Sequence, residues 1–153
     1  MSVSDDTRND HLLHLTVVND LREIAVAADR IDEFCSVHGI PPATAYAVNL
    51  SVDELLTNTI SYGYEDSGEH RIDLMIRRDG DVLTIEISDD GIEFAPDSAQ
   101  DPDTAASIEE RPIGGLGIFL TRQMMDSFDY RRSEGRNIVT LTKKTGTASP
   151  ENQ

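Results

Sequence analysis

The sequence predicts an α/β domain of the α+β kind, a two-layer sandwich in which a mixed, mostly antiparallel sheet carries three helices on one face. Three observations predict it. The elements read in the order β, α, α, β-β, α, β-β; two strand pairs are joined by short turns; and strands and helices do not alternate one for one, which sets aside a doubly wound parallel fold. A length of 153 residues with 38% hydrophobic content suits one domain around one core.

Leu13, Leu15 and Val17 alternate within residues 11–18, the period of a strand with one buried face. Asp20 and Glu23 then stand at capping-box spacing. Leu21, Ile24, Ala25, Ala28, Ile31, Phe34 and Cys35 form a helical stripe that stops before Gly39. Pro41 and Pro42 break the chain and open a second helix to about Tyr62, with Ala45, Val48, Val52, Leu55, Leu56 and Thr59 inward. After a loop, Ile72, Leu74 and Ile76 alternate, Asp79-Gly80 turns the chain, and Leu83, Ile85 and Ile87 alternate back. Residues 92–113 hold three of the six prolines and no sustained period, the mark of either a functional lid or a disordered loop. Glycines 114, 115 and 117 lead into a short helix, and residues 128–132 and 138–142 flank a turn at Glu134-Gly135. The domain is expected to span residues 11–144, between a disordered segment at 1–10 and a flexible tail at 145–153.

Thirteen cations stand against 29 acids, a net charge of −16, which argues against direct binding of nucleic acid by phosphate neutralisation. Eleven of the cations are Arg, and the lysines are Lys143 and Lys144 alone, so neither a P-loop nor the early strand lysine of eukaryotic-type protein kinases is available. No apolar run is long enough to cross a membrane and the first ten residues are polar and acidic, which reads as cytoplasmic. Cys35, the lone cysteine, falls at an apolar helical position and reads as a buried thiol.

Three places could carry chemistry. In DELLTNTISYGY, Glu54 and Asn58 lie four apart on one helix face, where an acid could activate a hydroxyl or water and an amide oxygen could bind Mg²⁺. The same pair also occurs on ordinary solvated helices. Asp89-Asp90-Gly91 ends a strand, where an acid could accept from an exocyclic amine such as that of adenine; a plain turn has the same composition. IGGLGIF opens a helix with free N–H groups suited to phosphate, or else serves as a hinge. Arg111 and Arg122 are the cations nearest this segment.

The conjunction and order of these segments resemble the GHKL ATPase superfamily (Bergerat fold), and within it the small bacterial anti-sigma factors that are serine protein kinases. DELLTNTISYGYED is similar to their N box, DDGIEF to their first glycine box and RPIGGLGIFLTRQMMDSFDY to their second. The resemblance implies Glu54 as general base, Asn58 as Mg²⁺ ligand, Asp89 as the reader of adenine and Gly91 as a shaper of its pocket. It also implies Gly114, Gly115 and Gly117 at the phosphates, and Thr140 as the candidate for a threonine that helps bind adenine. Glu93 stands where the wider superfamily often has a second glycine, and Phe94 follows it, a departure that favours the anti-sigma branch.

The resemblance therefore implies ATP and Mg²⁺ as cofactors, a sigma factor and a STAS-domain anti-anti-sigma protein as partners, and a homodimer built on the first strand and helix. The alternative is a nucleotide-gated protein-binding module without kinase turnover, against which the intact Glu54 leans. A sensor histidine kinase domain is disfavoured because no helical phosphoacceptor region precedes the first strand, and His11 and His14 fall in that strand.

Overall fold

Alternation of apolar residues builds the sheet, and the computed structural model describes it through Ser4–Asp5, residues 11–93 and residues 115–146. The elements are β1 (Ser4–Asp5), β2 (Leu12–Val18), α1 (Glu23–Val37), α2 (Pro42–Tyr62), β3 (Arg71–Asp79), β4 (Val82–Asp89), α3 (Gly115–Met124), β5 (Ser127–Ser133) and β6 (Arg136–Lys144). The sheet runs β1-β2-β3-β4-β6-β5, and every described pairing is antiparallel. This is the expected α+β sandwich of a mostly antiparallel sheet with three helices, and among the described residues the pairing is antiparallel throughout. A crossover through α3 would make β5 parallel to β4 if the two were neighbours. Instead β6, returning from the hairpin, takes the place beside β4 and runs against it.

Leu13, Leu15 and Val17, Ile72, Leu74 and Ile76, Leu83, Ile85 and Ile87, and Val139 and Leu141 all point to one face and are buried under the helices. Helix α1 contributes Ala27, Ile31, Phe34 and Cys35, and α2 contributes Val48, Val52, Leu55 and Leu56. Packed against both α1 and α3, α2 is the middle helix of the layer.

Helix ends follow local chemistry. The capping box expected at α1 does not form. The Asp20 carboxylate accepts from Arg22 N at 2.9 Å and holds the Arg22 guanidinium, while Glu23 Oε1 accepts from Val18 N at 3.2 Å. At the other end Gly39 N donates to Ser36 O and Ile40 N to Cys35 O, with Gly39 at φ 65°, a Schellman closure that seats Ile40 in the core.

The domain is longer at both ends than expected. Ser4 and Asp5 pair with Thr16 and Leu15 inside the segment read as disordered. Thr145, read as tail, is buried: its N–H donates to Asp81 O and its carbonyl accepts from Thr44 Oγ1 at 2.9 Å. The ladder between β4 and β6 simply continues past Lys144, and α2 covers it. Among the described residues no helix is long and apolar enough to cross a membrane.

Candidate functional site

The C-terminal end of α2 is built onto the turn that ends β4. Ile92 N donates to Gly63 O at 2.8 Å, and a Cβ on Gly91 would collide with that same carbonyl oxygen. A Cβ on Gly63 would in turn stand 2.5 Å from Thr59 O, so neither position has room for a side chain. With the helical rise, Asn58 and Glu54 lie about 7 and 13 Å back along α2 from this contact. Asn58 and Glu54 therefore share one helix whose C-terminal end is joined to the turn that follows Asp89.

Asp89 is 5% exposed and faces the helical layer. Its Oδ1 accepts from Gly91 N at 2.8 Å and from Asn137 Nδ2 at 2.9 Å, whereas Oδ2 has no partner among the described residues. Asn137 stands opposite Asp89 in the ladder between β4 and β6 and is itself 4% exposed. Its Nδ2 also donates to Ile92 O at 2.8 Å, and its Oδ1 accepts from Tyr130 Oη at 2.8 Å and Arg132 Nη1 at 3.0 Å. Arg132 Nη1 reaches Gly91 O as well, at 2.9 Å. Sequence reasoning missed Asn137 and took Thr140 instead. Thr140 pairs with Glu86 and Asp129 on the face turned away from the helices, so it cannot share a pocket with Asp89. The signal was present: with Val139 and Leu141 inward, position 137 must also face inward and position 140 outward.

Beneath the turn, the loop after α2 lines a cleft of about 180 Å³ with Gly63, Tyr64, Asp66, His70, Asp90 and Gly91. The Tyr64 ring stacks on His70 at 4.1 Å and 13°. His70 meets Asp66 Oδ1 through Nε2 at 2.9 Å and Asp90 Oδ1 through Nδ1 at 3.3 Å. The hydrogen bond to Asp66, foremost, and the Asp90 carboxylate raise the imidazole pKa, while His70 lowers that of Asp66. Burial first, then Asp89 and Asp90, push the Tyr64 hydroxyl well above the ordinary tyrosine range.

Gly115 is the first residue of α3 and Gly117 lies in its first turn, where amide N–H groups have no intrahelical acceptor. Arg122 sits in the last turn of α3, over the Phe128 ring at 4.7 Å. Gly114, Arg111, Phe94 and the lid from 94 to 113 lie outside the described residues.

The donor set fits a nucleotide with a hard cation. Asn58 Nδ2 is buried without a partner among the described residues, so nothing holds the amide against offering its oxygen, the donor Mg²⁺ prefers. Among those residues no group of three or more His, Cys, Asp and Glu could hold a metal unaided. A cation at Asn58 would take the rest of its shell from phosphate and water.

The order of acid, amide, strand-end Asp and glycine-led helix on an antiparallel sheet defines a class, and comparison gives it a family. Residues 17–143 match the histidine kinase-like ATPase domain, and the chain belongs to that family. It is 30% identical over 104 residues to the serine/threonine-protein kinase BtrW of Bordetella bronchiseptica, covering 68% of this chain and 73% of that one. It is 29% identical over 102 residues to the serine-protein kinase RsbW of Listeria monocytogenes, 63% of each chain. Among solved structures, the RsbU and RsbW domains of a Mycobacterium tuberculosis protein superpose with TM-score 0.60 at 13% identity, over 87% of this chain and 32% of that one. The histidine kinase domain of a blue-light activated kinase from Erythrobacter litoralis gives TM-score 0.54 at 19% identity, over 77% and 60%. These two show the fold.

Proposed function

We propose that this chain is a Mg-ATP-dependent serine protein kinase that works in the cytoplasm as an anti-sigma factor. As a homodimer it would hold a sigma factor and phosphorylate a STAS-type anti-anti-sigma protein. The observation that carries the reading is a buried strand-end carboxylate with one oxygen uncommitted, in a turn bonded to the end of the helix that bears Asn58, with its unpartnered amide nitrogen, and Glu54. The names of the serine kinases similar to this chain support it.

In this reading Asp89 Oδ2 accepts the adenine amine, and Gly91 shapes the pocket by letting the turn close on the Gly63 carbonyl. Asn58 supplies an oxygen to Mg²⁺, and the N–H groups at Gly115 and Gly117 face phosphate oxygens. Bound Mg-ATP supplies the transferable phosphoryl group and the cation that neutralises it. Glu54, farthest from the base-reading end, orients the acceptor serine and takes its hydroxyl proton. Glu54→Gln is expected to abolish transfer of radiolabel from ATP to a cognate STAS protein while ATP affinity stays within about twofold. Wild-type transfer by that variant would reject the base assignment.

A further inference from the structure

The Asn137 amide uses all of its hydrogen-bonding capacity in one orientation. It donates twice, to Asp89 Oδ1 and Ile92 O, and accepts twice, from Tyr130 Oη and Arg132 Nη1. A guanidinium has no acceptor, so turning the amide over would set its NH₂ against Arg132 and its oxygen against the Asp89 carboxylate and the Ile92 carbonyl. Arg132 and Tyr130 reach it because they share the helix-facing side of β5, opposite Asn137 and Val139 in the ladder. The consequence falls on Asp89. Its Oδ1 is committed to Asn137 and Gly91, so Oδ2 alone is left to meet a ligand, and the carboxylate cannot swing without breaking both bonds. Arg132 also ties down Gly91 O, so the same three side chains hold the turn under the base.

We propose that Tyr130, Arg132 and Asn137 form a positioning relay that sets base preference at Asp89, favouring a purine with an amine at C6 over one with a carbonyl there. The proposal rests on the reading of Asp89 as acceptor for the adenine amine. None of the three touches the nucleotide; they act by fixing which carboxylate oxygen is presented and where.

Calorimetric titration with Mg-ATP and with Mg-ITP, whose base carries a carbonyl at C6, tests it in the full chain. Wild type is expected to prefer ATP. Asn137→Leu should cut the ATP:ITP affinity ratio by about tenfold, almost wholly by weakening ATP, and Tyr130→Phe by a few-fold, since each loosens a hydrogen bond that acts through Asp89. Equal losses for ATP and ITP in both variants would make these residues structural only and overturn the proposal. If Asn137→Leu does not fold, Tyr130→Phe decides, because it removes one oxygen and keeps the ring. Asp89→Asn separates the two readings. If it leaves the wild-type ratio intact, Asp89 does not read the amine and the relay falls with it. If it collapses the ratio while Asn137→Leu and Tyr130→Phe keep theirs, Asp89 stands and the relay alone is wrong.

Discussion

At the residue scale the site is a matter of which side of a strand a side chain occupies. Asp89 and Asn137 meet because both lie on the inward parity of adjacent antiparallel strands, and Thr140 fails by the same parity. That distinction was legible in Val139 and Leu141; what was not legible was that β6 would lie beside β4. Gly91 was singled out for approach by a ligand, yet it is the Gly63 carbonyl that demands the missing Cβ, a contact no local pattern announces. Spacing put Asn58 on one face with Glu54 without setting it apart from an ordinary solvated helix; the resemblance singled it out, and its buried, unpartnered amide nitrogen adds a physical reason. Asn58→Ala should remove the increment that Mg²⁺ adds to nucleotide affinity, about tenfold, and leave Mg²⁺-free binding unchanged. Calorimetry with and without EDTA reads this, and an undiminished Mg²⁺ increment would count against the ligand role.

At the element scale the two helices and two hairpins around the core were readable because period, proline and glycine signals agree. The capping box was not, because Glu23 has a better use: it satisfies the Val18 amide where β2 ends. The loop between α2 and β3 was equally opaque. Its shape depends on His70, which is set between Asp66 and Asp90 and stacked on Tyr64. The folded-state pKa of His70 is raised above 6.5, so its contribution is fully present below that value and is lost as pH rises through the raised pKa. Asp66, whose pKa is lowered from 3.8, contributes above that value and loses its contribution as pH falls through the lowered pKa. Amide hydrogen exchange over residues 63–70 is therefore expected to show weakening protection as pH rises through the raised His70 pKa, after correction for intrinsic rates. His70→Gln should abolish that trend, and a trend retained in the variant would place its origin elsewhere.

At the scale of the whole molecule, the fold class could be read because hairpins need only neighbours in sequence, whereas the order β4-β6-β5 is decided by the return of the chain through α3. Stability rests on the single core under the helices. Ile85, fully buried on the strand between β3 and β6, should cost about 2–5 kcal/mol when cut to Ala, read as a lower urea midpoint with unchanged slope. A loss under 1 kcal/mol would mean that the core collapses around the gap.

Charge is divided as well: residues 131–153 hold five cations against two acids, and residues 1–130 eight against twenty-seven. Two of those five cations, Arg132 and Arg136, reach across to the acidic part, Arg132 to the turn at Gly91 and Arg136 to Asp73 and Ser88 on its strands.

Insertion of β6 beside β4 also has a consequence for synthesis. Asp89 leaves the ribosome 48 residues before Asn137, the residue that orients it, and the strand it pairs with is the last described one. A nascent chain can close the hairpin of β3 and β4 early, but its carboxylate has no fixed direction until β6 has emerged and slotted in. The direction of the Asp89 carboxylate is thus set by a strand that emerges only after the β3–β4 hairpin can have closed.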